Sequence, residues 1–233
     1  MDLVELYRDA QARVMELVST LSPPALATTV PATPRWTVEQ LVAHITGVCA
    51  DMVDGRTEGA ATEPWTSRHV AERAGQPLQE ILAEWQSRTP ALLEMLSTPG
   101  KVDPAAFDVL THEHDLRGAL GIVGPSDGAA VAAVTTRVTG RVNHLVDKAE
   151  LPALMLVNDD GVWRCGCRDV EVTGTAPTFE WFRALFGRRS PAQIRTYSWD
   201  GDPEPYFGLL NLFGPLPSVD VAEAGAPEPL SAG

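Results

Sequence analysis

Cysteine is scarce, with only Cys49, Cys165 and Cys167 in 233 residues, an odd count that argues against a disulfide framework and leaves reduced thiols as the expected state. Positive charge is also short: 18 basic residues face 31 acidic ones, for a formal charge of −13. Such a surface repels phosphate backbones and anionic bilayers, so neither nucleic acid nor a membrane is an expected partner. No run of 18 apolar residues occurs, which excludes an ordinary transmembrane helix. The start, Met1-Asp2-Leu3-Val4-Glu5, lacks the basic and apolar segments of a secretory signal, and a cytoplasmic protein is expected. What the chain does have is 44% hydrophobic residues, enough to bury the core of one large domain or two small ones.

The most informative stretch runs from Asp103 to Gly121. Asp103 suits an N-cap, Pro104 a first helical position and Gly121 the left-handed residue past the end, which predicts a helix of about 16 residues. On it Asp108 and His112 stack one turn apart, and Asp115 and Ala119 continue their face. A carboxylate and an imidazole at i and i+4 can grip one metal ion without bending the helix. His114 points roughly 160° away from His112 and reads as a packing or surface residue. Asp115 follows His112 by three, so it either accepts a hydrogen bond from that imidazole or stays solvated or paired with Arg117.

Upstream, Leu3, Leu6, Tyr7, Ala10, Val14, Leu17 and Leu21 recur at helical steps and predict a first helix. After a Pro- and Thr-rich loop, Thr37 and Gln40 form a capping box that opens a second helix ending at Asp54-Gly55. His44 falls at the border of its apolar stripe, with Gly47 and Asp51 beside it, and is the natural third ligand for the Asp108–His112 pair. Two imidazoles and one carboxylate leave positions open for water or substrate; they suit zinc, although ferrous iron or nickel takes the same donors. Spacing alone is weak support, since an Asp-x-x-x-His pair arises often by chance.

Residues 55–77 are polar and Gly-rich and predict a long connection with at most one helical turn, in which His69 has no evident partner. A third long helix spans about Leu78 to Leu96, with Thr89-Pro90 either kinking or restarting it. Together these elements predict a four-helix bundle over 1–124. The loop Gly124-Pro125-Ser126-Asp127-Gly128 marks a boundary, beyond which a helix (130–148) precedes strands at 153–158, 162–167 and 170–173 with a turn at Asp159-Asp160-Gly161. A helix from about Pro177 to Phe186 and a strand from Ile194 to Trp199 complete a smaller α+β domain over 129–216. The tail 217–233, rich in Ala, Pro, Gly and Glu, is expected to be disordered. Cys165-x-Cys167 is expected on one side of a strand, as a metal-binding or reactive pair or as small buried filler. Arg188-Arg189 either holds an anionic substrate or forms a solvated helix end.

Three stretches carry a family likeness: Arg35 to Ile45 (RWTVEQLVAHI), Pro77 to Trp85 (PLQEILAEW) and, most specifically, Asp108 to Gly121 (DVLTHEHDLRGALG). They resemble the mycothiol-dependent maleylpyruvate isomerase family, whose N-terminal half is a DinB-like metal-binding bundle. Asp160-Gly161-Val162-Trp163 and the region from Gly187 to Asp202 resemble, more loosely, its small C-terminal α+β domain. The resemblance implies an α+β protein with a divalent metal, usually zinc, held by one histidine and an E-x-x-x-H pair that fall on His44, Asp108 and His112; here Asp replaces Glu and is one methylene shorter. It also implies mycothiol, a low-molecular-weight thiol, acting as a metal-bound thiolate that isomerises a small electrophilic substrate or is transferred onto it. The alternatives are a metal-dependent hydrolase of a thiol conjugate and a non-catalytic metal- or ligand-binding member. No substrate-binding arginine of the isomerase maps onto a motif of this chain.

Overall fold

The computed structural model describes residues 2–98, 102–122, 128–211 and 215–223. The chain divides into two compact units, Met1–Gly124 and Pro125–Ala222, with Glu223 grouping with the first. In order the elements are α1 (Leu3–Ser19), α2 (Pro23–Leu26), α3 (Val38–Asp54), α4 (Glu63–Glu72), α5 (Leu78–Leu96), α6 (Asp103–Leu120), α7 (Ala129–Lys148), β1 (Ala153–Asn158), β2 (Gly161–Cys165), β3 (Val170–Thr175), α8 (Thr178–Leu185), α9 (Pro191–Arg195), β4 (Ser198–Asp200) and α10 (Phe207–Leu210). The fold class is α+β: a helical first unit and a second unit that combines helices with one small sheet.

In the first unit α1, α5, α3 and α6 form a closed ring of neighbours, the packing of a four-helix bundle, and α4 lies on α3. Val14, Leu41, Ile45, Ile81, Leu92 and Leu110 fill its core, as the spacing of the apolar residues predicts. The capping box at the head of α3 is present, with Gln40 Oε1 accepting from Thr37 N at 3.0 Å and Thr37 Oγ1 from Gln40 N at 3.3 Å. Helix α5 runs unbroken through Pro90. The hydroxyl of Thr89 donates to Trp85 O at 2.8 Å and accepts from Gln11 Nε2 at 2.6 Å, tying α5 to α1 where the proline interrupts the ladder. At α6 the N-cap is Val102 rather than Asp103, because the helical conformation begins one residue earlier; Gly121 closes it in the left-handed region as expected.

Two departures concern helices. Residues 63–72 form α4, almost three turns rather than one. Only Trp65 and His69 of this helix are buried, so the sequence carries hardly any apolar stripe to reveal it. In the second unit the segment from Ile194 contributes the end of α9 before the short β4, because Ser190 and Gln193 build a second capping box with Pro191 in the first turn.

The sheet order is β2-β1-β3-β4, with β1 antiparallel to β2 and parallel to β3, and β4 antiparallel to β3. Asn158 pairs with Gly161, so Asp159 and Asp160 form a two-residue turn. Strand β2 stops at Cys165, and Gly166 takes a φ of 102°. The alternation is thereby lost: Cys165 is buried and Cys167 exposed, so the two thiols share neither a side nor a surrounding. The expected disorder from Pro217 does not hold over 217–223, where Gln193 exchanges hydrogen bonds with the backbone of Val221 at 3.0 and 3.1 Å and Ser190 donates to Asp220; residues 224–233 lie outside the described residues.

Trp181, fully buried, donates to Val157 O at 2.8 Å and meets Trp199 edge-on, with ring centroids 5.8 Å apart. A Cβ on Gly174 of β3 would lie 2.4 Å from the Trp199 ring and 2.9 Å from that of Trp181. Gly174→Ala is therefore expected to destabilise the second unit by about 1–3 kcal/mol, read as an earlier transition in chemical denaturation followed by tryptophan fluorescence. An unchanged midpoint would show that the two rings yield freely.

Candidate metal centre

Helices α3 and α6 meet inside the bundle and bring His44, Asp108 and His112 together. One ligand-type atom from each lies within 4.8 Å of the others. Asp108 Oδ1 is 3.3 Å from His112 Nε2 and 3.8 Å from His44 Nε2, and the two imidazole rings stand at 89° with centroids 5.1 Å apart. The 3.8 Å separation is too long for a hydrogen bond, so His44 and Asp108 face one another without direct contact. Asp108 Oδ2 is buried and, among the described residues, has no hydrogen-bond partner.

Asp115 resolves its two readings in favour of the imidazole: its Oδ2 lies 2.8 Å from His112 Nδ1, and it is buried. Arg117 turns instead to Glu113, a fully buried carboxylate that also takes a two-pronged contact from Arg13 of α1 at 2.7 and 2.8 Å. His114 is buried, on the packing side of its expectation.

A third histidine sits directly behind His44. His69 of α4 is fully buried, with Nδ1 3.2 Å from His44 Nδ1 and Nε2 2.9 Å from Asp51 Oδ2. Asp51, two turns after His44 on the same face of α3, is also fully buried and is clamped by Arg68 at 2.5 Å and Arg56 at 2.7 Å. Gly47 lies between them on that face, and a Cβ there would come within 2.3 Å of the His69 ring, so α4 can approach only because Gly47 has no side chain. Arg73 anchors α4 further, pairing with Glu84 of α5 and donating to His69 O at 3.2 Å. The stripe of His44, Gly47 and Asp51 on an otherwise apolar helix was the available signal: buried polar groups in register demand a polar partner. Trp36 lies over His44 at a 32° tilt with centroids 4.7 Å apart, and Trp65 meets His69 nearly at right angles with centroids 4.2 Å apart, so an indole packs against each ring.

Electrostatics separates the groups. Burial pushes His44 down to about 4, against the pull of Asp108, so its ring is neutral at physiological pH. Burial likewise lowers His69, more than Asp51 raises it. Burial opposes charge on His112 too, but Asp108 and Asp115 outweigh it and raise its pKa. For Asp108, burial alone would favour the acid, yet His112 and His44 hold it well below the carboxylate range. In unit two, Arg189 is spent on Glu180 in a two-pronged contact at 2.7 and 2.8 Å, while Arg188 donates to Phe186 O at 2.6 Å. Arg189 is accordingly an internal brace rather than an open anion clamp.

No helix among the described residues is long and apolar enough to cross a membrane. No curated protein matches the chain. Among solved structures, a crystal structure of a histidine-to-alanine mutant of mycothiol-dependent maleylpyruvate isomerase aligns over 79% of this chain and 88% of its own, at 11% identity and a TM-score of 0.51. A second crystal structure of mycothiol-dependent maleylpyruvate isomerase aligns over 80% and 88%, at 13% identity and a TM-score of 0.49. The family described as the mycothiol maleylpyruvate isomerase N-terminal domain matches residues 7–147, a span that includes His44, His69, Asp108 and His112. By that match, over more than half of its length, this chain belongs to the mycothiol maleylpyruvate isomerase N-terminal domain family.

Proposed function

We propose that the protein is a metal-dependent enzyme that uses mycothiol to isomerise, or to transfer sulfur onto, a small electrophilic substrate, with His44, Asp108 and His112 as the metal ligands. The observation that carries this reading is the buried, unpartnered Oδ2 of Asp108 beside two imidazoles that turn Nε2 toward the same carboxylate. A buried carboxylate oxygen without a donor is costly unless a cation satisfies it, and two nitrogens with one carboxylate are a donor set that zinc, ferrous iron and nickel accept. Bound there, a divalent metal would supply Lewis acidity that keeps a thiol deprotonated at neutral pH.

The chain's own residues supply the rest. Asp115 accepts from His112 Nδ1 and so keeps Nε2 of that ring directed at Asp108. Neutral His44 offers a lone pair without first losing a proton. Trp36 shields the His44 ring from water, which strengthens every charge interaction around it. The reactions proposed share one opening, the formation of a carbon–sulfur bond between thiolate and electrophile. As it forms, the substrate's activated double bond opens to a carbanion; in isomerisation, rotation is followed by loss of the thiolate, which restores the double bond, whereas in transfer the carbanion takes a proton and the thioether remains in the product. Family membership supports mycothiol as the thiol, and an ion held by only these three side chains would leave a ligand position for its sulfur.

Elemental analysis of untagged protein is expected to give about one equivalent of metal per chain, lost in His44→Ala and in Asp108→Ala while both stay folded. Wild type that stays metal-free after reconstitution with zinc, iron or nickel would defeat the proposal and favour a bundle that binds without chemistry. Saturating zinc at a hundredfold above its Kd should stabilise the wild type by about 2.7 kcal/mol and leave His112→Ala unmoved, as read by thermal denaturation. With mycothiol and an activated alkene, His112→Ala should lose turnover; full activity in that variant would refute the ligand assignment.

A further inference from the structure

The proton positions around His44 can be worked out from its neighbours. The ionised carboxylate of Asp51 only accepts hydrogen bonds, and it is held ionised by Arg56 and Arg68. At 2.9 Å from that carboxylate, Nε2 of His69 must carry a hydrogen. Arg56 and Arg68 together balance Asp51 and Glu72, and His69 is fully buried against α3 beside Trp65, so a further positive charge on its ring has no counter-ion of its own. A neutral imidazole has one N–H, which leaves His69 Nδ1 as an acceptor. The Nδ1 atoms of His69 and His44 are 3.2 Å apart, and a contact of that length between two nitrogens needs one hydrogen between them. The hydrogen therefore belongs to His44 Nδ1, and His44 Nε2 is left with its lone pair facing Asp108 and His112.

We infer that His69 and Asp51 are positioning residues that fix His44 in its Nδ1–H tautomer and thereby present Nε2 to the candidate metal site. The role assigned to Nε2 rests on the proposed function; the tautomer itself does not. Two different devices then serve the two histidines. His112 is oriented by a carboxylate on its own helix, Asp115, one turn on. His44 has no such neighbour within reach on α3 and is oriented through an imidazole borrowed from α4, with the carboxylate one step further back at Asp51. The relay also accounts for three features otherwise unconnected: a glycine in the middle of α3, a fully buried aspartate on the same face, and an intervening helix whose buried residues are one indole and one imidazole.

The test is a long-range proton–nitrogen correlation spectrum of metal-free protein labelled with nitrogen-15 in its five histidines, assigned through single replacements. The two rings should show opposite tautomers, with the proton on Nδ1 in His44 and on Nε2 in His69. In His69→Phe, which keeps a ring but removes the acceptor, His44 should move toward the Nε2–H form. A wild-type His44 protonated on Nε2 overturns the inference without any variant, and so does a folded His69→Phe in which the Nδ1–H signal of His44 persists. Chelator competition gives the consequence for the metal: zinc affinity should fall about 10- to 100-fold in His69→Phe. Wild type that binds no zinc would count against the site, while the spectrum would still decide the relay.

Discussion

Burying an ionisable group inside a helical bundle is expensive unless something of opposite character meets it, and that constraint governs the first unit. Asp108, His44 and His112 project into the same interior from α6 and α3, and each requires compensation. His112 finds Asp115, and His44 finds His69 with Asp51 behind it; of the three residues it is Asp108 whose Oδ2 meets no donor among the described residues. The cluster is thus satisfied along its outer side and left short of positive charge at its centre. That arrangement supports the cation site proposed above.

The same constraint shapes the surrounding helices. Asp51 is neutralised by Arg56 and Arg68, and Glu113 by Arg13 and Arg117, so two further buried carboxylates are closed by paired arginines that reach the surface. The contrast with Asp108, which meets no arginine or lysine in the contacts described, separates carboxylates that hold helices together from the one turned to imidazoles. In the second unit the Glu180–Arg189 pair, with the Tyr197 hydroxyl 3.1 Å from the same carboxylate, braces α8 internally in the same manner.

Replacement of the family's glutamate by Asp108 acquires a physical setting here. The shorter side chain still brings Oδ1 to 3.3 Å from His112 one turn on, since that pair depends only on helical geometry. Its distance to His44 depends on the approach of α3 and α6, and there the gap is 3.8 Å. A metal held as proposed would meet the longer reach on the His44 side of the cluster, beside His69 and Asp51.

Much was legible in the sequence because it is local. The Asp108–His112 spacing, the capping box at Thr37–Gln40 and the left-handed Gly121 each depend on residues within one turn, and helical periodicity located the four bundle helices. Helix α4 escaped because its stability comes from arginine pairs and two buried rings rather than from an apolar stripe, and α9 because its capping box was overshadowed by the apolar residues after it. The thiols of Cys165 and Cys167 were separated by a backbone reversal at Gly166 that alternation does not foresee. The sequence by itself determined which side chains share a helix face, since 3.6 residues per turn allows no other arrangement. Only the tertiary structure decided which faces meet: that α4 folds onto Gly47, that His69 joins His44 to Asp51, and that His44 is set across from Asp108, because these contacts link residues 17 or more positions apart that no local rule connects.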